Sequence, residues 1–155
     1  MSTYENDFSR RDAQTREILL VEDNPGDVRL LEEAMEEADI SHRIHVVSNG
    51  RDALEFVRQR EPYEDAPRPD LVLLDLNLPQ LSGEEVLDSL KTDPDYCEIP
   101  VIMLTSSDTP ENVRQAYRLG ANAYLTKPVD PDAFVDIVRS IEEFWLATAT
   151  LPPGQ

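Results

Sequence analysis

Asp70-Leu-Val-Leu-Leu-Asp75 sets four aliphatic residues between two carboxylates, and Glu17-Ile-Leu-Leu-Val-Glu22 carries the same arrangement earlier in the chain. A short apolar run without polar alternation predicts a strand buried on both faces. Working outward, Ile44-His-Val-Val-Ser48, Pro100-Val-Ile-Met-Leu-Thr105 and Ala123-Tyr-Leu-Thr126 read as further strands. Helical spacing fills the intervals. Pro25 suits a first helical turn and is followed by Val28, Leu31, Ala34, Met35 and Ala38. Asn49-Gly50 opens a helix with Ala53, Leu54 and Val57 on its apolar face, and Gly83 to Leu90 turns Val86, Leu87 and Leu90 inward. Glu111 to Leu119 is a helix closed by Gly120, and Asp132 to Leu146 is a last one rich in Ile, Val and Phe. Glu61 to Asp70 holds three prolines and reads as a loop. Five strands alternating with five helices imply an α/β fold whose parallel sheet is covered on both faces.

The 155 residues fit one domain, and 40% hydrophobic content is enough for a core. Fourteen basic residues against 32 acidic ones leave a net charge of −18, which argues against nonspecific nucleic-acid or acidic-lipid binding. No apolar run approaches the ~20 residues of a membrane span, and the start lacks the basic and apolar regions of a signal peptide. Cys97 is alone, so no intramolecular disulfide or multi-cysteine zinc site is expected, and the thiol reads as inert. These features predict a cytoplasmic domain. Acid spread along the whole chain, with 12 Arg and only two Lys, predicts a surface adapted to high salt, as in a halophile. Residues 1–15 read as a flexible arm, 16–148 as the folded body and 149–155 as a tail too short for an effector module.

Ligands of open parallel sheets bind beyond the carboxyl ends of the strands. Those ends present Glu22 and Asp23, then Asp75 with Asn77, then Thr105, Ser106 and Ser107, and finally Thr126, Lys127 and Pro128. Carboxylates brought together repel and call for a cation, and an all-oxygen donor set favours Mg²⁺. With Lys127 adding positive charge, the natural guest is a phosphoryl group, whose transfer is assisted by cations that neutralise its oxygens.

Val21-Glu-Asp-Asn-Pro25, Leu74-Asp-Leu-Asn-Leu-Pro79, Leu104-Thr-Ser106 and Leu125-Thr-Lys-Pro128 resemble, in order and spacing, the four signatures of two-component response-regulator receiver domains. The resemblance covers residues 17–146 and is to the single-domain, chemotaxis-regulator-like members. It implies the flavodoxin-like strand order 2-1-3-4-5. It also implies that Asp75 accepts a phosphoryl group from a sensor histidine kinase, and that Mg²⁺ sits on Glu22, Asp23, Asp75 and the backbone carbonyl of Asn77. Thr105 would bind a phosphoryl oxygen and move on activation, Lys127 would pair with the phosphoryl group, and Tyr124 would be the rotating switch aromatic. The Lys127–Pro128 bond would be cis. On this reading the chain is no enzyme beyond its own Mg²⁺-dependent phosphorylation and dephosphorylation. Glu22-Asp-Asn-Pro-Gly-Asp-Val-Arg-Leu30 and Ser140-Ile-Glu-Glu-Phe-Trp-Leu146 narrow the likeness to regulators that partner phytochrome-type light-sensing kinases. Glu22 stands where Asp is commoner, and small Ser107 leaves the dephosphorylation rate open.

Other readings of the same residues are weaker. A phosphorylation-independent adaptor would not need the intact Asp75–Lys127 set. A phosphatase of Asp-x-Asp-x-Thr type needs a second acid that Asp75-Leu-Asn-Leu-Pro79 lacks, and a flavin carrier needs a neutral phosphate loop where Glu22-Asp23-Asn24 stands. His42 and His45 read as surface and edge residues away from the strand ends. Phe134, Phe144 and Trp145 read as core or contact residues rather than a cofactor box. Phe144, Trp145 and Leu146 are consecutive, and helical neighbours lie ~100° apart, so they cannot all face the sheet. A homodimer through the fourth helix, fifth strand, last helix and tail is therefore expected, the alternative being that Leu151-Pro-Pro153 folds back over Trp145.

Overall fold

The three central strands of the sheet are buried aliphatic runs because helices cover both of its faces, whereas the two edge strands are only partly buried. The computed structural model describes residues 15–38 and 42–153. Strands β1 (Glu17–Val21), β2 (Arg43–Val47), β3 (Leu71–Leu74), β4 (Val101–Thr105) and β5 (Ala123–Thr126) pair in parallel in the order β2-β1-β3-β4-β5. Helices α1 (Pro25–Glu37), α2 (Gly50–Val57), α3 (Gly83–Lys91), α4 (Pro110–Arg118) and α5 (Pro131–Ile141) connect and follow them. The parallel α/β layering is what the alternation implies, and the strand order is the flavodoxin-like one that the resemblance implies.

Successive strand residues serve opposite layers. Ile18, Leu20, Leu71, Leu73, Ile102 and Leu104 pack with Leu31 and Met35 of α1 and Phe134 and Val138 of α5. Leu19, Val21, Val72, Leu74, Val101 and Met103 pack with Leu54 of α2, Val86, Leu87 and Leu90 of α3 and Ala116 of α4. Each such side chain fully buried contributes about 1.5–3 kcal/mol, which is why no strand position tolerates a solvent-facing residue in the sheet centre.

The helix starts carry side-chain caps. Asn24 accepts from the N–H groups of Gly26 and Asp27 ahead of Pro25, and Asn49, Ser82, Thr109 and Asp130 cap the other helices. Gly120 ends the α4 connection at φ 105, a left-handed conformation that glycine adopts without steric penalty. The Asn24 cap matters most for function, because it starts α1 directly after the Glu22-Asp23 pair.

The last helix differs from the single run expected over Asp132 to Leu146. It is α-helical to Ile141 and then π-helical over Glu142–Thr148. Wider winding brings residues five apart into line, so Ile141 and Leu146 both enter the core. Phe144 is left 54% exposed, with its ring edge-on to a partly buried Trp145 at 5.2 Å. The three consecutive apolar residues thus divide between core and surface. Leu151 is buried, and Pro152 lines a small cavity with Pro69, Asp70, Ile99 and Pro100 at the amino ends of β3 and β4. The arm expected over 1–15 lies, except for residue 15, outside the described residues.

The surface reading of His42 needs correction. Its side chain is 10% exposed, its Nδ1 accepts from the Arg16 N–H at 2.9 Å, and its Nε2 lies 2.9 Å from a Glu142 carboxylate oxygen. The π-helical segment carries the Glu142 carboxylate that pairs with this partly buried imidazole. His45 pairs with Glu17 at 2.7 Å on the edge strand, as an edge residue should. Among the described residues, no helix is long and apolar enough to cross a membrane.

Candidate functional site: the carboxyl-end crevice

The chain runs from β1 to β2 on one side and to β3 on the other, so a crevice opens between β1 and β3 at their carboxyl ends. The register pairs Val21 with Leu74, which sets the next residues, Glu22 and Asp75, side by side. Backbone bonds hold both in place: the Glu22 N–H donates to Val47 and the Asp75 N–H to Val21. β4 ends in Thr105, and the Lys127 N–H donates to the Thr105 carbonyl at 2.8 Å, which fixes the end of β5 beside it.

Among the described residues, the buried ones with polar or charged side chains are Glu22, Asp75 and Thr105. A polar group taken from water without purpose is destabilising, so three at one end of one sheet mark a site. Carboxylate oxygens of Glu22, Asp23 and Asp75 lie within 4.8 Å of one another. Lys127 reaches in from β5. Its Nζ donates to Glu22, to Asp27 at 2.9 Å and to Asp75 Oδ2 at 3.5 Å, while Asp75 Oδ1 accepts from the Leu76 N–H at 2.7 Å.

These contacts leave anions in excess. Burial pushes the Glu22 carboxyl up to about 7 against the pull of Lys127, and the charge of Asp75 adds to the rise. Burial also pulls the Lys127 ammonium down, but its bonds to Glu22 and Asp27 and the charge of Asp75 more than offset this, and it stays above its ordinary value. A cluster with this much unneutralised negative charge, offering only oxygen donors, fits a hard divalent cation.

Tyr124 lies partly buried on β5 with its hydroxyl donating to the Ser107 carbonyl at 2.6 Å. The Ser107 hydroxyl accepts from the Asn112 amide at 2.6 Å, so the loop after β4 is tied both to β5 and to α4. Burial raises the Tyr124 phenol above its ordinary value, despite the bond to Ser107. Asn77 is exposed, two residues beyond Asp75.

One expectation fails and others were missing. The Lys127–Pro128 peptide is not cis; among the described residues the cis bond is Glu61–Pro62. Trans is the default for a bond before proline by about 0.5–1 kcal/mol, and Lys127 reaches all three carboxylates from it. Asp27 joins the crevice without lying at a strand end: an acid four residues after Asp23, in the first turn of α1, falls beside the same carboxylates. The reason Gly83 opens α3 also lies in the fold. A Cβ there would sit 2.1 Å from the Asp75 carbonyl oxygen, so the helix passes too close to the Asp75 backbone for any side chain.

Comparison with known proteins bears on this arrangement. Residues 18–139 match the response regulator receiver domain family. Response regulator Rcp1 of Synechocystis sp. is 44% identical over 135 residues, 87% of this chain and 92% of that protein. The crystal structure of the Mn²⁺-bound form of Rcp1 superposes with a TM-score of 0.83 at 43% identity, covering 89% of this chain and 99% of that one. The phosphorylated cyanobacterial phytochrome response regulator RcpA superposes at 0.85 with 44% identity over 90% of this chain and 99% of its own. The likeness spans all five strands and the crevice at their ends, and this chain belongs to the response regulator receiver family.

Proposed function

We propose that the chain is a stand-alone response regulator that takes a phosphoryl group from a sensor histidine kinase onto Asp75 and signals by changing the surface it offers to partners. The observation that carries this reading is the buried Asp75 carboxylate. Its Oδ1 is held by the Leu76 N–H and its Oδ2 faces the Lys127 ammonium, inside a cluster with Glu22 and Asp23. Oδ2 attacks phosphorus, the bond from phosphorus to the donor histidine nitrogen breaks, and that nitrogen keeps the electron pair. Glu22, Asp23, Asp75 and the Asn77 carbonyl would hold Mg²⁺, which when bound supplies positive charge against the phosphoryl oxygens. Lys127 moves from the carboxylates to the new phosphoryl group, and Thr105 donates its hydroxyl to a phosphoryl oxygen.

Tyr124 and the Ser107 loop then carry the change to the surface of α4 and β5. That surface exposes Tyr117, and the following π segment exposes Phe144, which supports a homodimer on α4, β5, α5 and the tail, strengthened by phosphorylation. The likeness to a phytochrome response regulator supports a light-sensing kinase as the phosphoryl donor. The receiver body is taken as 16–148, and the cytoplasm as the compartment where such a kinase delivers its phosphoryl group.

A small acyl phosphate with Mg²⁺, followed by intact mass, tests the assignment. The unaltered chain gains one phosphoryl group and Asp75→Asn gains none. Uptake by Asp75→Asn would sink Asp75 as the acceptor, and no uptake by the unaltered chain would favour a phosphorylation-independent adaptor.

A further inference from the structure

We propose that Asp27 is a positioning residue that receives the Lys127 ammonium when a cation takes the carboxylates beneath it, and so sets how readily the crevice fills. The inference rests on reading the crevice as a divalent-cation site and concerns a residue outside that set of ligands. Lys127 Nζ bonds three carboxylates, and two of them, Glu22 and Asp75, also belong to the trio whose oxygens lie within 4.8 Å of one another. An ammonium and a divalent cation on the same oxygens repel, so Lys127 must give up Glu22 for the trio to be free.

Asp27 offers the ammonium another place. Its Oδ2 is 2.9 Å from Nζ, against 3.5 Å for Asp75 Oδ2, and its side chain is 32% exposed, at the rim. Its position is firm, because its own N–H is bound by the Asn24 cap that starts α1. The cap uses the Asp27 backbone and leaves the carboxylate to Lys127. An amide at this position keeps the helix start and weakens the acceptor, so Lys127 falls back on Glu22 and Asp75 and competes harder with an incoming cation.

Titration calorimetry with Mg²⁺ tests this on the full chain, in about 1 M KCl, where a Debye length of about 3 Å removes the long-range effect of one rim charge. Asp27→Asn is expected to weaken Mg²⁺ binding about fivefold, a fraction of what one buried charge-assisted bond would give because Asp27 lies at the rim. In a Lys127→Ala background the same change is expected to weaken binding by less than about twofold, since the ammonium it acts through is gone. Asp27→Glu, which keeps the charge, restores binding toward that of the unaltered chain. Equal losses in both backgrounds would show Asp27 acting as a plain anion, and no loss in the unaltered background would show no role; either overturns the inference. Failure of the unaltered chain to bind Mg²⁺ overturns the reading of the crevice, and this inference with it.

Discussion

The chain has two lysines, and they solve the same problem in opposite ways. Lys91 closes α3 at the amino end of the sheet, where its ammonium donates to the carbonyls of Cys97 at 3.1 Å and Ile99 at 2.8 Å. Neutral dipoles satisfy it, its stem covers Gly120, and burial draws its pKa below the ordinary value. Lys127 lies among carboxylates at the carboxyl end and is held above its ordinary value in spite of burial. A buried charge met by neutral acceptors is finished and serves the fold. One met by more opposite charge than it can neutralise is poised to be moved, and serves chemistry.

The largest effect expected from breaking this contrast is at Lys127. Lys127→Ala should keep Mg²⁺ binding and lose the response to phosphorylation, because on the proposed reading the ammonium would meet the phosphoryl group rather than the metal. Amide NMR shifts at Thr105 and Tyr124 on phosphorylation should be full in the unaltered chain and absent in the variant, and normal shifts in the variant would refute the role.

Lys91→Met keeps the stem and deletes the donor. It should destabilise the fold by about 2–3 kcal/mol, as two partly buried carbonyls lose a charged partner, while phosphoryl uptake at Asp75 stays unchanged. Denaturant unfolding with and without Mg²⁺ separates the lysines: added Mg²⁺ should narrow the deficit of Lys127→Ala and leave that of Lys91→Met as it was.

A smaller, pH-dependent difference is expected at Glu22. Folded Glu22 keeps its proton up to about pH 7, whereas the unfolded chain releases it near the ordinary 4.5. Across that window the folded state binds more protons, so stability falls as pH rises and the loss is complete above the folded value. In metal-free buffer, Glu22→Gln escapes this loss. Its melting temperature relative to the unaltered chain should therefore rise between about pH 5 and about pH 8, and a constant gap would contradict the burial of this carboxylate.

Salt sharpens the contrast least. With a net charge of −18, adding salt should raise the melting temperature of the whole chain. The Lys91→Met deficit should stay constant, because bonds between a partly buried ammonium and carbonyls are screened far less than exposed charges. A flat melting temperature from low to molar salt would leave the halophilic reading of the composition without support.

What was legible in the sequence is local chemistry. Short apolar runs announce strands, uninterrupted where both faces are covered, and all five appear within a residue or so of their expected ends. Glu22, Asp23, Asp75, Thr105 and Lys127 were visible as strand-end residues, because a strand end is a property of the run before it. The layers, the family and the crevice were therefore readable from the chain alone, since period, propensity and motif spacing are properties of neighbours in it. Tertiary structure alone decided what depends on distance between elements. Asp27 became a partner of Lys127, a hundred residues away in sequence, because a cap aims the first turn of α1 at the end of β5. His42 met a carboxylate from the π-helical segment, and that segment wound wider so that Ile141 and Leu146 share one core. Such outcomes turn on a difference of an ångström or one hydrogen bond between packed elements, and no local pattern carries that information.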